Sequence, residues 1–143
     1  LTRQKLKPAR LAYAAKNLCA LGAYEIAPSA KKSKVVIFAS GSEVAIGMEA
    51  KATLDKAGTP TRVVSVPSME LFEKQSKAYR KDLLGKEKIR IAIEAGVAQG
   101  WNRFIGDDGV FIGMKGFGAS APAEALYKHF GITAKAAIKA AKK

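Results

Sequence analysis

A chain of 143 residues has the length of one domain and can bury roughly 68–70% of its unfolded surface, so no disulfide or metal staple is required. Its 48% hydrophobic content is ordinary for a globular protein, yet no window approaches the roughly 20 continuous apolar residues of a membrane span. Lys and Arg exceed Asp and Glu by 25 to 12, a net charge of +13, but the basic runs are short and aromatics are not interleaved with them as stacking platforms would need, which favours a solvated lysine surface over a nucleic-acid interface.

The opening LTRQKLKPAR is charged and lacks an apolar signal core, so no secretory peptide is read there. Residues 1–22 contain no strand pattern and read as a connecting arm. Within the arm, Cys19 lies among alanines and leucines and is expected to be a small buried hydrophobe rather than a reactive thiol. One cysteine cannot form an internal disulfide, which fits a reducing compartment.

AYEIA (Ala23–Ala27) is a short strand candidate, and VVIFAS (Val35–Ser40) reads as a strand buried on both faces. Ser42 is placed as the N-cap of a following helix, with Val44, Ala45, Met48, Ala52 and Leu54 as its apolar stripe and Gly58 at its end. TRVVSVP (Thr61–Pro67) is the next strand. Ser68–Gly85 predicts one or two helices with Leu71, Phe72, Tyr79 and Leu83 inward. IRIAIEAG (Ile89–Gly96) and GVFIGM (Gly109–Met114) are further strands, separated by a short helix or turn that carries Trp101. Two C-terminal helices follow the glycine-rich GFGASAP, the first opened by Pro122 and Glu124. Alternating unbroken strands and helices predict an α/β fold: a three-layer, Rossmann-like domain with a mostly parallel sheet and helices on both faces.

Little chemistry is visible in these elements. Gly41-Ser42-Glu43 stands where a dinucleotide fold would cradle a phosphate, but the next glycine is Gly47, and Glu43 puts a carboxylate in the helix's first turn. The turn is better explained as a strand-to-helix connection. His129, the only histidine, falls late in a helix, where a positive charge is simply favourable. Glu94 ends a strand at the edge where open α/β sheets bind ligands. No second carboxylate is placed in the sequence to share acid and base roles with it, which favours a structural role. Trp101 and Phe104 read as core or interface anchors.

Taken in order, TRQKL, GAYEIA, ASGSEV, RVVSVPSMELFEKQ, YRKDLL, IEAGVAQGW and GFGASAPAEALYKHFGIT run as they do in transketolases. The chain resembles the C-terminal domain of that family (23–143), preceded by the end of the middle, pyrimidine-binding domain and a connecting arm (1–22). Phe117–Thr133 is the most specific stretch. Deoxyxylulose-phosphate synthase and the β subunits of 2-oxo-acid dehydrogenases share the domain type without that run, whereas dihydroxyacetone synthase stays open beside transketolase.

The resemblance implies a homodimeric, cytoplasmic enzyme of the pentose phosphate pathway or the Calvin cycle. It would use thiamine diphosphate and a divalent metal, Mg or Ca, to move a two-carbon ketol unit from a ketose phosphate to an aldose phosphate. In the family the cofactor sits between the N-terminal domain of one subunit and the middle domain of the other. Neither cofactor nor metal is therefore expected on this chain, which alone should be inactive, an interaction and stability module. Its implied partners are the remaining domains and sugar phosphate substrates, with no nucleic acid and no membrane. The family's SRQ stretch carries an arginine that grips the sugar phosphate, and the matching residue is Arg3, a guanidinium suited to bidentate phosphate recognition. Thr2 replaces the usual serine and Lys5 stands where asparagine is common. The pattern assigns no catalytic residue beyond this point. The rival reading is a free-standing Rossmann-like module that binds an anion or nucleotide through Ser40–Glu43, Glu94–Gln99 and Gly116–Ser120.

Overall fold

The computed structural model describes residues 5–6, 8–9 and 15–142, so Arg3 and the rest of the TRQ stretch lie outside the described residues. Five strands form one sheet: β1 (Tyr24–Ala27), β2 (Val35–Ala39), β3 (Thr61–Ser65), β4 (Ile89–Ile93) and β5 (Val110–Ile112). Their spatial order is β1-β3-β2-β4-β5; β2 to β5 run parallel, and β1 joins β3 antiparallel at one edge.

The β-branched and aromatic run VVIFA becomes the central strand β2 and is buried throughout. Its side chains alternate between two cores. Val35, Ile37 and Ala39 meet Val63, Ile91 and Ile93, covered by α1 (Glu43–Lys56) through Val44, Ala50 and Leu54, and by α6 (Ala134–Ala140) through its buried alanines. Val36 and Phe38 face the other way, towards Phe72 of α2 (Met69–Glu73), Leu83 of α3 (Lys77–Leu84) and Phe104 of α4 (Asn102–Ile105). The result is the expected three-layer α/β arrangement.

Several local expectations change. Ser42 does not cap α1: a cap residue typically has an extended backbone that turns its side-chain oxygen onto the helix amides, whereas Ser42 is itself helical, and its hydroxyl donates to Glu43. Ala52 is exposed, and the buried residues of α1 are Glu43, Val44, Gly47, Ala50 and Leu54, so Val44 and Leu54 of the expected stripe turn inward while Gly47 and Ala50 join them. The Ser68–Gly85 segment is two helices, each with a working N-cap: Ser68 accepts from the Leu71 amide, and Ser76 from the Tyr79 amide. Because α2 is a short helix, Phe72 turns inward and Leu71 outward. Cys19 is exposed, in a 3-10 turn (Leu18–Leu21) that buries none of its residues. Its expected burial is therefore not found.

β3 also places a charge in the interior. The side chain of Arg62 is 7% exposed, and its guanidinium donates to Glu87 at 2.6 and 3.1 Å and to the Leu83 carbonyl at 2.9 Å. Glu87 is equally buried and also accepts from the Ser33 hydroxyl.

The topology directs attention to one point. From β2 the chain passes through α1 to β3 on one side; from β4 it passes through α4 to β5 on the other. The strand order therefore reverses between β2 and β4, and the carboxyl ends of those two strands form the switch point of the sheet.

Candidate functional site at the sheet switch point

The loop leaving β2 carries Ser40, Gly41, Ser42 and Glu43; the loop leaving β4 begins at Glu94. Parallel, in-register pairing sets Ala39 opposite Ile93 and so brings the two exits side by side. Gly41 makes the turn with φ +51°, a left-handed conformation that suits glycine. Glu43 is 3% exposed. Its Oε1 accepts from the Ser42 hydroxyl at 2.6 Å and from the Tyr127 hydroxyl of α5 (Ala123–His129). The two hydroxyls also lie 2.9 Å apart. A segment 84 residues away is thus tied to the first turn of α1 through a buried carboxylate.

Glu94 is half-buried. Desolvation raises its pKa above the ordinary carboxylate range and the nearby charge of Glu43 raises it further, while a hydrogen bond with Ser40 pulls the other way. The loop after β5 packs closely behind it. The Met114 amide donates to the Gly96 carbonyl at 2.8 Å, and a Cβ on Gly113 would fall 2.6 Å from the Glu94 carbonyl oxygen. Beside this pair opens a cleft of about 480 Å³ whose wall includes Met69, Val97, Trp101, Glu70, Glu73 and Arg103. Arg103 is ion-paired with Glu73.

The structure therefore does supply a second carboxylate for Glu94, namely Glu43, contrary to the sequence-based expectation. Glu43 was visible only as a first-turn acid. Its burial depends on Tyr127, which no local pattern could place. Of the loops in the rival anion-binding reading, Ser40–Glu43 and Glu94–Gln99 do meet, but they contribute carboxylates. Gly116–Ser120 is exposed throughout. Glu43 and Glu94 at these exits disfavour a phosphate, and the nearby Arg103 is already paired with Glu73. Trp101 and Phe104 are 2% and 1% exposed and pack 5.6 Å apart, with Phe72 and Phe38 at 5.2 and 5.5 Å from Phe104: core anchors, as expected. His129 lies exposed in the last turn of α5, edge-on to Phe130 at 4.8 Å.

Among the described residues no three His, Cys, Asp or Glu side chains are grouped to hold a metal ion, and no helix is long and apolar enough to cross a membrane.

Comparison with known proteins gives this geometry its context. Residues 22–133 match the family described as "Transketolase-like TK C-terminal domain". The chain is 49% identical over 142 residues to the transketolase of Rhodobacter capsulatus, covering 95% of this chain and 21% of that protein. It is 43% identical over 145 residues to the chloroplastic transketolase of Solanum tuberosum, covering 99% and 19%. Among solved structures, transketolase from Leishmania mexicana superposes with a TM-score of 0.79 at 38% identity, over 87% of this chain and 18% of that one. The chain thus spans about a fifth of the length of the relatives it matches.

Proposed function

We propose a function from one premise: the chain belongs to the transketolase-like C-terminal domain family. It serves as the C-terminal domain of an enzyme that transfers a two-carbon ketol unit from a ketose phosphate to an aldose phosphate. The observation that carries this reading is 49% identity sustained over 95% of the chain. Within such an enzyme residues 1–22 would be the end of the middle domain and its connecting arm, and residues 23–143 the domain proper. The partners would be the other domains, a second subunit of a homodimer and the sugar phosphates. A cytoplasmic enzyme of the pentose phosphate pathway or Calvin cycle is the expected setting, although the Solanum tuberosum relative is named as chloroplastic.

Thiamine diphosphate and a divalent metal would serve the intact enzyme, the cofactor supplying the carbanion that attacks the ketose carbonyl. The residues of this domain do not suit that group. A diphosphate at the switch point would meet the buried carboxylate of Glu43 and, beside it, Glu94. This chain's direct part in the chemistry would be Arg3, holding the substrate phosphate by charge-assisted hydrogen bonds.

The test grafts this chain in place of the matching segment of the Rhodobacter capsulatus enzyme. The graft should transfer ketol units, and Arg3→Ala within it should raise KM for the phosphorylated donor by about tenfold or more, as loss of a charge-assisted pair predicts. The isolated 143-residue chain, given thiamine diphosphate and magnesium, should show no activity. A folded but inactive graft, or ketol transfer by the isolated chain, would overturn the proposal.

A further inference from the structure

Four large apolar side chains stand exposed among the described residues: Leu6, Leu71, Val97 and Phe117. Three of them belong to segments that leave the same edge of the sheet. Leu71 is on α2, which starts just past the carboxyl end of β3; Val97 is in the loop after β4; Phe117 is in the loop after β5. The Met114–Gly96 hydrogen bond ties the last two loops together. Phe117 is 99% exposed and sits within eight consecutive exposed residues, Lys115–Pro122. Its neighbours Gly116 and Gly118 have open space where a Cβ would stand. A phenylalanine held wholly in water at the tip of a loop gains nothing for the fold it belongs to, and apolar groups gathered on one edge mark an interaction surface.

We infer that the loop Lys115–Pro122, with Phe117 as its anchor and Val97 on the neighbouring loop, is the surface on which this domain docks against the amino-terminal four-fifths of a transketolase. The inference rests on the function proposed above and adds which face makes the contact. The occupant is set by length: the relatives carry this domain as about a fifth of a longer chain, so the larger part must cover some of its surface. The other two layers are already closed by their own helices. Among the described residues this edge gathers three of the four exposed large apolar side chains, and an aromatic ring entering a pocket is the usual form of such an anchor.

Amide hydrogen exchange tests this on the isolated chain and on the grafted Rhodobacter capsulatus enzyme. Amides of Lys115–Ser120 should exchange freely in the isolated chain and about tenfold or more slowly in the graft. Phe117→Ser should leave the melting temperature of the isolated chain within about 1 °C of the parent, since surface changes are close to neutral, and should abolish the added protection in the graft. Equal exchange of the loop in both proteins, with protection appearing on another face, would overturn the inference. So would an isolated chain that sediments as a dimer and becomes monomeric on Phe117→Ser, because the occupant would then be a second copy. Ketol transfer by the graft reports separately on the function, so an active graft with an unprotected loop would refute only the docking surface.

Discussion

The buried pair of Arg62 and Glu87 gives the most quantitative expectation. Burial pushes the pKa of Glu87 up, but hydrogen bonds from Arg62 and Ser33 outweigh it and hold the group at about 2, against an ordinary 4.5. A carboxylate depressed in the folded state stabilises the fold at pH values above its unfolded pKa. That contribution disappears as pH falls through the folded value, so the window runs from about 4.5 down to about 2. A shift of this size corresponds to roughly 3 kcal/mol, and solvent screening at the rim of the pair reduces it to about 2 kcal/mol. Glu87→Gln removes the charge while keeping an acceptor for the guanidinium, and Arg62 retains the Leu83 carbonyl and a longer contact to Glu25 at 3.4 Å. The variant should lose about 2 kcal/mol at pH 7, or roughly 6 °C in melting temperature for a chain of this length. Measured by urea denaturation at a series of pH values, the gap between parent and variant should close as pH falls from about 5 to about 2. A gap that stays constant over that range would show that the loss comes from packing, and the electrostatic reasoning would fail.

Two further expectations follow from the same geometry. Gly22 has φ +78° and a Cβ added there would lie 2.1 Å from the Phe72 amide nitrogen, so Gly22→Ala should lower stability by more than about 2 kcal/mol, read as a reduced urea midpoint with an unchanged slope. Glu94 carries a raised pKa, so its charged form opposes folding as pH rises above 4.5; Glu94→Gln should raise the melting temperature at pH 7 and leave it nearly unchanged at pH 4.

The sheet was legible because its strands announce themselves residue by residue. VVIFA can satisfy an unbroken apolar run only between two covered faces, and the same holds for the three buried residues that end β4. Helical spacing likewise located α1, but a binary apolar pattern assigned Ala52 to the core and passed over Gly47 and Ala50, because a small residue can serve either face. Leu71 and Phe72 are adjacent and equally apolar; a two-residue window cannot say which one turns inward. The candidate site was harder. Glu94 and Gly41-Ser42-Glu43 were recognised as strand-end features, yet their meeting depends on β2 and β4 being neighbours, and strand order is not written in either segment. The tie from Tyr127 to Glu43 joins residues 84 positions apart, and Tyr127 otherwise reads as one more half-apolar residue on a short helix.

That tie explains why a sheet with the topology of a nucleotide-binding fold presents no phosphate site at its switch point. The positive end of a helix such as α1 would ordinarily favour an anion there, but its first amides are already used: those of Glu43, Val44 and Ala45 donate to the carbonyls of Ser40, Gly41 and Ser42. In this chain the anion is built in. Glu43 stands in the first turn of α1, 3% exposed, and its carboxylate is further held by two hydroxyls. An incoming phosphate would meet that carboxylate and, next to it, Glu94. The net charge of +13 does not reverse this, because screening confines exposed lysines to a range of about 8 Å at physiological salt while the carboxylates act at contact. The topology that elsewhere binds a cofactor here carries a buried carboxylate in the first turn of α1, so the fold alone does not specify a nucleotide function. What the edge leaves for other molecules includes two exposed apolar side chains, Val97 and Phe117.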